Sequence, residues 1–350
     1  MFVPALAKAS FPATRYQGSK RKLAAAIVEQ LRDFDYATVL DAFGGTGAVA
    51  YAFKQAGKRV TYNDVLGFNH QIGTALIEND TAQLSEPDIE SVGSRQTGVR
   101  YGDFIERTFA GIYFTDEENR WLDVAVGNIS RLDDRFKRSL AWYALFQSAM
   151  AKRPYNLFHR GNLYMRTAEV PRSFGNKATW DRPFPEHFAR FARRGNAAVI
   201  DCGGAGRAVC GDALRVEGNF DLVYIDPPYL NHAGVGVDYR HFYHFLEGML
   251  DYEDWQNRVD YALKHRPLIR TTQPWSDPKQ CHQAFRSLLE RFRDSILVIS
   301  YRSDGTPSID ELTGMLRDVK RRVQAHQGAR RPYTLSTNRE SREVLLVGSD

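Results

Sequence analysis

Residues 38–50 read Thr38-Val39-Leu40-Asp41-Ala42-Phe43-Gly44-Gly45-Thr46-Gly47-Ala48-Val49-Ala50, and Arg59-Val60-Thr61-Tyr62-Asn63-Asp64 follows after a short gap. The apolar run at 38–40 predicts a strand. A glycine turn, a helix to about residue 56 and a second strand ending at Asn63-Asp64 should follow it. Strand-turn-helix-strand in so short a span is the opening unit of a doubly wound α/β sheet. Gly45, Gly47 and Ala50 have the G-x-G-x-x-G/A spacing that lets backbone approach a nucleotide, and a carboxylate after the second strand can accept ribose hydroxyls. At this point a nicotinamide cofactor, another nucleotide-type cofactor and a ligand-free tight turn all remain open.

Working outward, the run 221–225 predicts an apolar strand that delivers Asp226-Pro227-Pro228-Tyr229 to its carboxyl end. Ligands of open α/β sheets bind at that edge. Two prolines lock φ and donate no hydrogen bond. The Asp226 carboxylate and the Pro227 carbonyl are thereby left as acceptors facing the site. Further strands are expected at 267–271, 295–300 and 343–347, the last antiparallel. A first helix is expected over 20–32, with Ser19 as N-cap and Leu23, Ile27 and Leu31 as its apolar stripe. Ser308 and Glu311 form a capping-box pair ahead of a helix to about residue 325. Between 66 and 196 the pattern is mostly helical, most clearly over 121–150. One core of residues 1–65 and 197–350 carrying an inserted subdomain, 66–196, fits this order better than two domains in tandem. Asp201-Cys202-Gly203-Gly204-Ala205-Gly206 imitates a second glycine motif, but lies too close to Asp226 to open its own unit and reads as a connection.

The chain has 350 residues, 43% hydrophobic and 25% charged, which excludes wholesale disorder. Its net charge of +5 is concentrated: residues 151–200 carry +7 and the remainder −2. Aromatics interleave with the cations there, a composition suited to phosphates and bases. A solvated charged face is the competing reading. Three cysteines, none in a C-x-x-C pair, give no disulfide framework and no structural zinc site. No basic n-region opens the chain, and no segment approaches ~18 consecutive apolar residues. A cytoplasmic protein without membrane spans is the expectation.

These motifs together resemble the adenine-specific DNA methyltransferases with a DPPY motif, in the Dam-like group whose cofactor motifs precede the target-recognition insertion. The resemblance implies a Rossmann-like, mostly parallel seven-stranded methyltransferase sheet with a helical insert, and S-adenosylmethionine as cofactor. It implies that Tyr16, Gly18 and Lys20 of Arg15-Tyr16-Gln17-Gly18-Ser19-Lys20 contact the cofactor. Asp41, Phe43, Gly45 and Gly47 of the glycine loop join them, with Asp64 at the ribose and Asp212 at the adenine edge. Asp226, Pro227, Pro228 and Tyr229 become the catalytic group. Within the insertion, Arg153, Tyr155, Asn156, His159, Arg160, Arg172, Asn176 and Lys177 become the DNA-binding candidates.

Adenine's exocyclic nitrogen is a weak nucleophile because its lone pair is delocalised into the ring. Acceptors at Asp226 and the Pro227 carbonyl would bind both amino hydrogens and aim the lone pair at the methyl donor, with no metal needed. The base must leave the duplex, and Tyr229 offers a stacking face worth roughly 1–3 kcal/mol. Duplex DNA is the implied partner, and a cognate restriction endonuclease a second. An RNA adenine methyltransferase and a non-catalytic DNA-binding relative remain alternatives; a nicotinamide dehydrogenase leaves Lys20 and the DPPY tetrapeptide unexplained. Tyr301 and Ser303 are either contacts to the target base or part of a plain loop. Residues 231–243 resemble a loop closing over the base, with His232, His241 and His244 as loop or core histidines.

Overall fold

The computed structural model describes residues 10–171, 177–203, 205–231, 234, 236–330 and 341–350. Seven strands form the main sheet: β1 (Thr38–Asp41), β2 (Arg59–Asp64), β3 (Arg207–Cys210), β4 (Leu222–Ile225), β5 (Ile296–Arg302), β6 (Arg322–Arg330) and β7 (Arg342–Ser349). Their order is β3-β2-β1-β4-β5-β7-β6, and β7 alone runs antiparallel to its neighbours. The architecture is the expected α/β methyltransferase sheet, mostly parallel and seven-stranded.

Interior parallel strands are covered on both faces, so they read as continuous apolar runs whose side chains alternate between two cores. Val39, Leu222, Tyr224 and Val298 enter one core with Ile27, Leu31, Tyr51 and Phe53. Leu40, Val223, Ile225, Leu297 and Ile299 enter the other with Phe285, Leu288, Leu312 and Leu316. The first face is covered by α1 (Ala24–Gln30) and α2 (Ala48–Gln55), and by α3 (Gly67–Gly73) leading into the helical region between β2 and β3. That region contains α4 (Asp116–Ile129), α5 (Arg135–Ala151) and α6 (Phe184–Ala198). In α5 every residue from Ser139 to Ala151 is buried, because α3 and α6 pack on different sides of it. A helix enclosed all round needs no polar face over that length. The second sheet face is covered by α7 (Cys281–Arg291) and α8 (Ile309–Val319).

Several local expectations are corrected. The first helix begins at Ala24, and Ser19 does not cap it: its hydroxyl lies 3.2 Å from that of Thr46, and the turn at 20–23 draws Lys20 inward. The helical stretch at 121–150 is two helices, because Asp134 accepts from Phe136 N and Lys137 N and starts a new one. Residues 267–271 form no strand; Leu268 makes one isolated bridge to Val259. The Ser308–Glu311 capping box is present, but its helix ends at Val319 and residues 322–330 form β6 instead. No helix among the described residues is long and apolar enough to cross a membrane.

Candidate active site

Chain direction decides where the chemistry gathers. β1 ends at Asp41, β2 at Asp64 and β4 immediately before Asp226, all at the carboxyl edge of the sheet. β1 and β4 are neighbours whose following connections lead to opposite sides, so a crevice opens between them. It is a cleft of about 680 Å³. Tyr16, Gly18, Lys20, Asp41, Phe43, Gly45, Asp64, Asp212 and the whole 226–229 tetrapeptide line it. Gly47 stands just behind the wall, where its φ of 77° ends the glycine turn and starts α2.

The glycine turn is held from below. The Tyr62 hydroxyl donates to the Gly45 carbonyl at 2.7 Å, and Gly45 N donates to Asp64 Oδ2 at 2.9 Å. Leu66 N and Asn69 Nδ2 also donate to Asp64, at 2.8 and 3.1 Å. Burial still outweighs these donors and pushes the Asp64 carboxyl up to about 6. Asn63 donates to the carbonyls of Ala42 and Gly211 at 3.0 and 3.2 Å, tying the Asp212 loop to the end of β1. Asp41 is buried, faces the carboxylates of Asp226 and Asp64, and is raised to about 8, first by desolvation and then by those charges. Its Oδ1 has no hydrogen-bond partner among the described residues.

At the other end of the cleft, Lys20 places one ammonium against two carboxylates: 2.9 Å from Asp226 Oδ1 and 3.2 Å from Glu343 Oε1. Burial alone would lower the lysine, but the two acids hold it above its ordinary value. Because one cation serves two buried acids, Asp226 is raised, by desolvation first and by Glu343 in addition, against the opposing pull of Lys20. The Tyr229 hydroxyl reaches Asp226 Oδ1 at 2.5 Å and Glu343 Oε1 at 3.0 Å. Lys20 also lies 4.7 Å from the centre of the Tyr229 ring.

The cleft includes residues that the sequence patterns did not single out. Trp275 meets Phe43 edge-on at 4.7 Å, carried there by the stretch expected to follow a strand. Tyr239 and Tyr243 stack on Tyr16 at 5.4 and 4.7 Å, and Gln17 N donates to the Tyr243 hydroxyl at 2.9 Å. The segment after the tetrapeptide is thus packed onto the N-terminal motif. Tyr301 is buried, donates to Thr306 O at 2.6 Å and meets the Tyr229 ring edge-on at 5.0 Å, so it supports Tyr229. Ser303 accepts from Arg342 N at 3.0 Å and belongs to a loop. His244 is a core histidine, 2.9 Å from the Tyr113 hydroxyl and held well below its ordinary value by burial. His232 lies outside the described residues.

The DNA-binding candidates are not brought together in the cleft, and one needs correction. Arg153 is 1% exposed; its guanidinium donates to the carbonyls of Leu157, Tyr113 and Arg160 at 3.2, 3.3 and 2.8 Å. Burial lowers it to about 9. It holds the chain from inside and cannot meet a phosphate. Tyr155 is 63% exposed at φ 62°, Asn156 and His159 are half-buried and Arg160 is exposed. Their loop touches the cleft wall: Phe158 N donates to Phe242 O at 2.9 Å. Lys177 is exposed and paired with Asp181 at 2.8 Å. Arg172 and Asn176 lie outside the described residues. Lys152 and Arg166, from the same basic window, are buried around Glu118 at 2.7 and 2.6 Å. By contrast, Arg15, Arg190 and Arg194 repel one another and have no ion-pair partner among the described residues.

The chain is 28% identical over 321 residues to the Type II methyltransferase M2.HphI of Haemophilus parahaemolyticus, covering 89% of this chain and 90% of that one. It is 25% identical to the modification methylase StsI of Streptococcus sanguinis, over 95% of this chain and 51% of the relative. With the Type II methyltransferase M.FokI of Planomicrobium okeanokoites the identity is 23%, over 87% and 46%. This chain therefore spans about half the length of the last two. Residues 16–293, from the first aromatic of the cleft wall to just beyond α7, match a single family, and the chain belongs to the D12 class N6 adenine-specific DNA methyltransferases.

Proposed function

We propose that this protein transfers the methyl group of S-adenosylmethionine to the exocyclic amino nitrogen of adenine in duplex DNA, at a short specific site, with the adenine turned out of the helix into the cleft. The observation that carries the reading is Asp226. It is a half-buried carboxylate, its side chain 16% exposed, on a proline-locked turn at the carboxyl edge of β4, in the same cleft as the Asp64-anchored glycine turn. The cleft suits the cofactor: the unpartnered Asp41 Oδ1 is an acceptor for a donor group, the bare Gly45 backbone leaves room for a nucleoside, and Asp64 is fixed for ribose hydroxyls. Tyr16, Gly18, Lys20, Asp41, Phe43, Gly45, Asp64 and Asp212 would hold it, with Gly47 shaping the turn. When bound, it supplies an electrophilic methyl group on a sulfonium.

The protein's part is positioning and electrostatics. Asp226 and the Pro227 carbonyl accept the two amino hydrogens and turn the nitrogen lone pair out of conjugation. Pro228 keeps the turn rigid, and Tyr229 presents its ring to the extruded base. The leftover negative charge of the Lys20–Asp226–Glu343 cluster suits a donor such as an amino group, and a carboxylate raised by burial suits the proton that this nitrogen must lose. We assign 1–65 and 197–350 to cofactor binding and catalysis, and 66–196, with Tyr155, Asn156, His159 and Arg160 beside the cleft wall, to reading the DNA. The relatives' roles as modification enzymes suggest a cytoplasmic partnership with a cognate restriction endonuclease. The test is expression in a host lacking adenine methylation, followed by sequencing for methyladenine. Modified adenine at one site, abolished by Asp226→Ala, is expected. Folded protein that leaves DNA unmodified but methylates RNA would replace the substrate.

A further inference from the structure

Asp226 is committed before any substrate arrives. Lys20 and the Tyr229 hydroxyl both engage its Oδ1, at 2.9 and 2.5 Å. An acid that is to receive an amino group has to release part of this hold, and the released donors need somewhere to go. Leaving an ammonium or a hydroxyl unpaired in a buried site costs far more than moving it to a second acceptor. That second acceptor is in place. Glu343, the second residue of β7, is 6% exposed, and its Oε1 lies 3.2 Å from Lys20 Nζ and 3.0 Å from the Tyr229 hydroxyl. The Ser300 hydroxyl on the neighbouring strand β5 donates to the same oxygen at 2.6 Å and fixes it. Tyr229 has one hydroxyl proton, so it can donate to Asp226 or to Glu343 but not to both.

We propose that Glu343 is a positioning residue for methyl transfer: it takes over Lys20 and the Tyr229 hydroxyl as Asp226 turns to the adenine amino group. The inference rests on the adenine methyltransferase reading above and adds a residue beyond the 16–293 segment that matches the family. Burying two carboxylates against one ammonium is unfavourable if neutralising Lys20 is the only purpose, since one acid would do. It is useful if the cation and the hydroxyl must exchange partners without leaving the site. Ser300 supports the exchange by keeping Glu343 in reach of both donors.

The charged and titratable groups facing Asp226 come from every wall. Among the described residues they are Lys20 from the N-terminal segment, Asp41 from β1, Tyr224 from β4, Tyr229 from the tetrapeptide, Tyr239 from helix Tyr239–Phe242, Tyr301 from β5 and Glu343 from β7. Tyr224, Tyr239 and Tyr301 are all raised and uncharged at neutral pH, and Asp41 sits at about 8. Glu343 is therefore the acid whose negative charge most directly holds Asp226 up. Removing that charge moves the ionisation of Asp226 to lower pH.

The experiment compares wild type with Glu343→Gln and Ser300→Ala. It measures kcat against pH on methylatable duplex DNA, together with the dissociation constants of S-adenosylmethionine and DNA and the melting temperature. For Glu343→Gln, kcat should fall about 10–100-fold, as when a charge-assisted hydrogen bond made on the way to the transition state is removed. Both dissociation constants should stay within about threefold, and the acid limb of the kcat profile should move to lower pH. Ser300→Ala should move kcat the same way by a smaller factor, and it stands in if the glutamine variant does not fold. Wild-type kcat with an unmoved acid limb overturns the proposal. So does a kcat loss that comes with an unmoved acid limb and a matching loss of melting temperature, which is the signature of a merely structural role. A wild-type protein that methylates no adenine fails at the earlier step and overturns the functional reading as well.

Discussion

The cleft at the carboxyl edge and the basic window at 151–200 are both rich in charge, yet the protein uses charge in opposite ways in the two places. In the cleft, Asp226 at the end of β4 and Glu343 on β7 converge on one lysine, and buried acceptor capacity is left over at Asp41 and across the Asp226–Glu343 pair. In the window, the cations that look most available are spent on the protein itself. Arg153 is consumed by three carbonyls, and Lys152 and Arg166 surround Glu118, holding it below its ordinary value despite its burial. In the cleft the spare acceptor faces an open space that can hold a ligand; in the window a high formal charge is used up inside the fold.

The contrast is most exposed to failure at Asp226. Asp226→Ala is expected to reduce methyl transfer by at least about 100-fold, while calorimetry shows S-adenosylmethionine still binding; full activity would mean that the chemistry happens elsewhere. Next in size is Arg153→Met. The carbonyls of Leu157, Tyr113 and Arg160 lose the Arg153 donor, so stability should fall by about 2–4 kcal/mol in urea unfolding, while the salt dependence of DNA binding is unchanged. A variant as stable as wild type but with a shallower salt dependence would return Arg153 to the DNA surface. Its counterpart is the triple change Arg15→Gln, Arg190→Gln, Arg194→Gln, at the cluster without ion pairs among the described residues. Every phosphate that this change leaves unneutralised should reduce the slope of log K against log salt by about 0.9, with stability preserved.

The last expected effect concerns Asp41. Its folded value of about 8 lies above the unfolded value, so the folded state binds the extra proton between about pH 4 and 8. Its contribution to stability is present at the low end of that window and is lost as pH rises through 8. Asp41→Asn should flatten the fall in melting temperature between about pH 4 and 8. An unchanged slope would show that Asp41 ionises normally.

The sheet was legible where apolar runs meet glycine or proline: β1, β2, β4 and the beginning of α2 all follow from residues 38–64 and 221–229. β6 was not, because Arg322-Val323-Gln324-Ala325-His326-Gln327 is a largely exposed edge strand whose apolar face rests on Val323 and Ala325 alone. Residues 267–271 have strand-like composition, but tertiary context uses them to bring Trp275 to Phe43. In the site, Asp64 and Asp226 stand at strand ends that the sequence pattern marks, whereas Lys20 was reached only through the family resemblance of residues 15–20. Glu343 could not be read, since an acid opening Glu343-Val344-Leu345-Leu346 looks like the polar start of a buried strand, and only the pairing of β7 with β5 brings it to Lys20. Within the basic window Arg153 misled for a related reason: sequence counts charges, whereas the fold decides which of them see water.

The hydrogen bond from Phe158 N to Phe242 O joins the exposed 155–160 loop to the turn that carries Tyr239 and Tyr243, and those rings bear on Tyr16. What touches the outside of that loop is therefore mechanically continuous with the floor on which the methyl donor would lie. An enzyme wired this way should discriminate by speed more than by grip. A DNA site with one wrong base pair should be held nearly as well as the right one and turned over far more slowly, and the selectivity should appear in kcat while the dissociation constant barely moves.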